Sequence, residues 1–157
     1  KTDTPGLPPA TQTGANTFGF LLNGQPWIPQ GNNGSGNNLS IDYDPGIRNG
    51  VIGINAYKVI SSSSNDEHFG LGYWSLNSTT SPVVINLKDT TKSICYFLTT
   101  NNCWLVSNYK EVTVSGILYI DKYDKISRII AGRFDFRLEK LGCTTIDISK
   151  GRFDFKF

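Results

Sequence analysis

The sequence predicts an all-β domain: an antiparallel meander of about ten strands forming a β-sandwich or a calycin-like barrel. Three observations carry this. The first is period-2 alternation at the C-terminal end, where Gly-Arg-Phe-Asp-Phe occurs at Gly132 and again at Gly151. Phe134, Phe136 and Leu138 fall on one face and Arg133, Asp135 and Arg137 on the other. The second is composition. The chain is rich in Gly, Asn, Ser and Thr between β-branched and aromatic runs, with 16 glycines and no methionine. The third is length. A chain of 157 residues is one domain by prior, and is long enough to fold around its own core.

Residues 1–15 are dense in Pro, Thr and Gly and lack periodicity, so they read as a flexible tether ahead of a single β-domain over 16–157. The first strand runs from Thr17 to Leu22. Asn23-Gly24 then marks a two-residue hairpin, because a type I′ turn needs positive φ at both central positions. The return strand carries Trp27 and Ile28, and its prolines Pro26 and Pro29 suit an edge. Gly31 to Asn38 is a polar, glycine-rich surface loop. Strands follow at Leu39–Tyr43, Val51–Ile60, Phe69–Leu76, Pro82–Leu87, Ile94–Leu98 and Cys103–Val106. A helical turn is expected only near Lys88–Thr91.

Four further strands are expected, at Val112–Asp124, Ile129–Leu138, Thr144–Ile148 and Gly151–Phe157, the last two broken between Ile148 and Gly151. Phe153, Phe155 and Phe157 should be buried in the last one, so that loss of 151–157 unfolds the domain. The rows Arg133/Asp135/Arg137 and Arg152/Asp154/Lys156 should pair across the two strands if these are neighbours.

Charge and motifs exclude more than they assign. A net charge of +2, scattered along the chain, gives no footprint for nucleic acid. No apolar run is long enough to span a bilayer as a helix. His68 is the single histidine and no Cys-x-x-Cys occurs, so neither a zinc site nor any other metal or cofactor is expected. Cys95 and Cys103 flank a hairpin tip and are a possible disulfide if the register sets them opposite, with buried free thiols the alternative.

The acidic pairs Asp42/Asp44, Asp66/Glu67 and Asp121/Asp124 fit turn chemistry better than acid–base work or calcium. His68 lacks a nucleophile elbow, and Cys143 has nothing in sequence to join it to His68. No catalytic residue is assigned and no enzyme is expected. Trp27, Trp74, Trp104, Tyr43 and Tyr73 are the candidate ligand-binding residues, since outward rings beside Asn and Asp make platforms for sugars or peptides.

Two segments carry a family resemblance. One is Leu7-Pro8-Pro9-Ala10-Thr11-Gln12-Thr13-Gly14 with Asn16-Thr17-Phe18-Gly19 and Asn23-Gly24-Gln25-Pro26-Trp27-Ile28-Pro29. The other is Ile120-Asp121-Lys122-Tyr123-Asp124, Ile129–Phe136 and Gly151–Phe157. Together they resemble the DUF6252 family of small secreted lipoproteins of Bacteroidetes. The resemblance implies a lipidated cysteine upstream of Lys1, an outer-membrane-anchored protein outside the cytoplasm, and membrane contact only through that anchor. It transfers no activity. Two roles follow as expectations. One is a monomeric, non-enzymatic domain binding a glycan, peptide or small hydrophobic molecule. The other is a structural lipoprotein docking to an envelope protein.

Overall fold

In the computed structural model, which describes residues 4–32, 37–60, 66–100 and 103–157, the chain forms two antiparallel sheets. The strands are β1 (Thr17–Leu22), β2 (Gln25–Trp27), β3 (Leu39–Asp44), β4 (Val51–Lys58), β5 (Glu67–Trp74), β6 (Val83–Asn86), β7 (Ser93–Thr99), β8 (Trp104–Val106), β9 (Thr113–Asp124), β10 (Ile129–Glu139) and β11 (Ile146–Lys156). The six-stranded sheet has the order β2-β1-β11-β10-β9-β6, and the five-stranded sheet β3-β4-β5-β7-β8. The two do not close on each other, so the sandwich holds and the barrel does not. Nor is it a simple meander. The chain returns to the first sheet for β6, and the C-terminal β11 lies between β10 and β1.

The turns follow from local chemistry. Asn23 and Gly24 take φ of 47° and 84°, and Leu22 pairs with Gln25 across them. The two strands expected at the C-terminus are a single strand. Lys150, at φ 51°, bulges β11 in its middle, and Asp135 holds the bulge by accepting from the Lys150 N–H at 2.7 Å. Leu76–Ser78 forms a short 3-10 turn that the sequence does not announce.

The core is aromatic. Phe18, Phe20, Phe69 and Phe134 pack as a cluster, with Phe18 and Phe69 centroids 5.0 Å apart. Trp27 stacks on Phe20 at 4.6 Å. The void left between the sheets, lined by Ile52, Leu71, Tyr73, Leu118 and Phe153 among others, is about 10 Å³. That holds at most one water, so this part of the interior is filled.

The outer face of the six-stranded sheet differs from expectation. Phe153 and Phe155 are buried and Phe157 half-buried, but Arg152 and Asp154 on the opposite face are buried as well. Residues 4–14 cover them. The Arg152 guanidinium donates to the Pro8 carbonyl and to Thr4 Oγ1, both at 3.1 Å. Asp154 accepts from Thr11 Oγ1 at 2.6 Å and from the N–H groups of Thr13 and Gly14 at 2.9 and 2.7 Å. From Thr4 onward the expected tether is therefore a strap, held by the two residues expected to face solvent.

This also reroutes the ion pairs. Arg133 faces Arg152 rather than an acid, and its guanidinium grips Asp121 on β9 with two bonds of 2.8 Å. The Asp121 contact holds the Arg133 pKa above its ordinary value.

The disulfide is also corrected. Cys103 is bonded to Cys143 with Cα atoms 5.8 Å apart, joining β8 of one sheet to the β10–β11 loop of the other. Cys95 is a buried free thiol, and burial pushes its pKa up to about 12 against the opposing Ser107 hydrogen bond.

Candidate ligand-binding face

The strap covers part of one outer face. The outer face of the five-stranded sheet carries Tyr57, His68, Trp74, Tyr96 and Trp104. Cross-strand pairing sets its rows. Tyr57, His68, Leu98 and Trp104 stand side by side on β4, β5, β7 and β8. At about 4.8 Å per strand this row is about 14 Å wide. The next row holds Asn55, Gly70, Tyr96 and Val106, and the one beyond it Asp42, Gly53, Gly72 and Ile94. Trp74 lies on the same face, six residues along β5 from His68, about 20 Å away.

Glycine shapes the floor. A Cβ at Gly70 would run into the Tyr96 ring, so the ring lies across bare backbone. That posture is held by hydrogen bonds. Tyr96 donates from its hydroxyl to Asn55 Oδ1 at 2.7 Å, and Asn55 Nδ2 donates to Asp42 Oδ2 at 3.1 Å. Burial, with smaller contributions from Tyr57 and Asp42, raises the Tyr96 pKa and keeps it a neutral donor. Tyr57 and His68 meet edge to face at 4.5 Å. Trp104 is 54% exposed. With Asp66, His68, Leu98, Thr99 and Thr100 it lines a cleft of about 380 Å³ at the end of the face.

The candidate residues are not brought together. Trp27 is a core residue, its indole N–H donating to Glu67 Oε2 at 2.6 Å, and Tyr73 is buried, its pKa raised by burial and then by Asp89. Both point inward because the strand alternation puts them there, which corrects their assignment as ligand contacts. Tyr43 shares a hydroxyl hydrogen bond of 2.7 Å with Tyr123 at another edge. Trp74 and Trp104 do lie on the candidate face. The indole N–H of Trp74 donates to the Thr91 carbonyl at 2.6 Å, and Arg48 sits 5.0 Å over its ring.

The acidic pairs separate too. Glu67 faces Trp27 while Asp66 lines the cleft. Asp44 and Asp124 accept from the backbone of their own turns. Asp121 is held by Arg133. Cys143 is in the disulfide, which removes a dyad with His68. Among the described residues no three His, Cys, Asp or Glu side chains gather as a metal site. Residues 33–36 of the glycine-rich loop lie outside the described residues.

Asn55, Tyr57 and Tyr96, with Gly53, Gly70 and Gly72, complete a face that sequence alone does not delimit. The Gly70-x-Gly72 spacing is its one signal, since two glycines on one face of a strand leave room for neighbouring rings. Comparison with family models, curated proteins and solved structures finds no match for this chain.

Proposed function

We propose that the protein is a non-enzymatic binding domain whose ligand is an extended glycan laid across the outer face of the five-stranded sheet. The observation that carries this is the Tyr57–His68–Trp104 row beside the Tyr96–Asn55–Asp42 hydrogen-bonded chain. Flat rings suit the apolar faces of sugar rings, and fixed short polar groups suit their hydroxyls. The small size of the void beneath Ile52, Leu71 and Phe153 argues against a small hydrophobic ligand at that place between the sheets.

The disulfide supports an oxidising compartment outside the cytoplasm. The lipoprotein reading rests on the resemblance of the two terminal segments. One observation favours the second role, docking to an envelope protein. Val84 on edge strand β6 is 64% exposed, with Ile117 of the adjacent β9 37% exposed.

The test is a glycan array followed by calorimetric titration of the hits. Trp104→Ala is expected to weaken binding at least tenfold with an unchanged melting temperature. Absence of any glycan hit, with capture of an envelope protein that Val84→Asp abolishes, would sink the glycan reading in favour of docking.

A further inference from the structure

The hydroxyl contact between Tyr43 and Tyr123 brings two loops side by side, and the two are built alike. Each tyrosine is followed by an aspartate, Asp44 or Asp124, that accepts hydrogen bonds from the N–H groups two and three residues on. Each turn so fixed presents an isoleucine to solvent. Ile47 is 55% exposed and Ile126 97% exposed. The strand-end aromatics below are half-buried, with Phe157 4.3 Å from Tyr43 and 6.0 Å from Tyr123.

Exposed cations flank the tips: Arg48 next to Ile47, Lys125 and Arg128 around Ile126, and Lys156, whose strand pairs with the start of β10. The acids there, Asp44 and Asp124, are the two that hold the turns.

We propose that these paired loops are a docking site for an anionic phospholipid surface, with Ile47 and Ile126 entering the interface and the four cations meeting lipid headgroups. Charge and layering choose this occupant. Apolar tips, a collar of Lys and Arg and tyrosines behind them match the sequence of layers in a bilayer interface. Two isoleucines on separate tips give no continuous apolar patch for a protein hot spot, whereas a fluid interface needs no matched shape. This contact is separate from any anchor at the N-terminus and from the Tyr57–Trp104 row; Arg48, 5.0 Å over the Trp74 ring, is the one cation it shares with the far end of that face.

The test is flotation of the full chain with vesicles of phosphatidylcholine alone and of phosphatidylcholine with about a third phosphatidylserine, a composition that supplies negative surface potential. Binding is expected to the anionic vesicles, weakening as salt is raised. Lys125→Glu with Arg128→Glu should lower partitioning at least 25-fold, from about fivefold per cation. Ile47→Ser with Ile126→Ser should lower it at least tenfold. Leu141→Ser, a fully exposed position at the far end of β10, should change nothing. Equal binding to both vesicle types, or to neither, overturns the proposal. So does salt-sensitive binding that the isoleucine pair does not affect, which would mean adsorption by charge alone with no entry into the interface. All substituted side chains are exposed, and an unchanged melting temperature separates lost docking from lost folding.

Discussion

Asp154 shows how a single residue escapes a sequence reading. Its alternation with Phe153 and Phe155 places it on the outer face, as expected, but periodicity says nothing about what covers that face. Because the strap does, the carboxylate is buried. Burial alone would raise its pKa, yet the donors Thr11 Oγ1, Thr13 N–H, Gly14 N–H and Ala15 N–H outweigh that and hold it below the ordinary 3.8. A depressed folded pKa contributes stability that is present above the unfolded value and lost as pH falls through the folded one.

Asp154→Asn should therefore destabilise the protein by about 2–3 kcal/mol at pH 7. The gap from wild type should close as pH falls from about 4 towards 2. Urea melts of both proteins at the two ends of that window check it, and a gap independent of pH would refute the assignment of the donors. The cysteines were hidden for a similar reason. Cys103 and Cys143 meet because a β8 terminus and the β10–β11 loop come together from different sheets, a contact no spacing encodes.

At the level of elements, most of the chain was legible. Alternation gave β1, β3, β9 and β10 close to their bounds, and Asn23-Gly24 gave the first hairpin. What alternation could not give was continuity. The Lys150 bulge shifts the phase of β11, so that Ile146 and Ile148 before it and Phe153 and Phe155 after it all reach the core, and the phase shift reads in sequence as a break. The outcome makes the strand more important than two short ones would be. β11 is paired along both edges, with Phe18 opposite Phe153 on one side and Ile130 opposite Phe155 on the other. Removing 151–157 takes away two buried phenylalanines, about 3–6 kcal/mol of apolar burial, and the partners of Thr17, Phe18 and Gly19 of β1. That is comparable with the whole net stability of about 5–15 kcal/mol for a domain. A chain ending at Lys150 should show no cooperative thermal transition by circular dichroism, and a retained transition would place the folding core elsewhere.

For the whole molecule, composition and strand count defined the class but not its closure. Both a barrel and a sandwich satisfy an alternating pattern, and the choice depends on which strands lie at the edges. Here β2 and β6 end one sheet and β3 and β8 the other, and the void described between the sheets, about 10 Å³, is too small for a ligand. The proposed ligand face is an outer one, and the strap distinguishes it from the other. It lies over Gly19, Arg152 and Asp154 of the six-stranded sheet. The five-stranded sheet has no such cover among the contacts described.

Deleting residues 1–14 should thus separate stability from binding. The loss of the Arg152 and Asp154 partners, softened by water reaching both groups, should cost about 2 kcal/mol. For a domain of this size that lowers the melting temperature by roughly 4–8 °C. Affinity at the Tyr57–Trp104 face should not change, because among the described residues the strap's hydrogen bonds go to Arg152, Asp154 and Lys122 of the other sheet. Calorimetric melting and glycan titration of the same deletion variant give both readings. An unchanged melting temperature would mean that the strap does not hold the fold in solution. A changed affinity would mean that the two faces communicate through the sandwich, which the filled core between them makes physically possible.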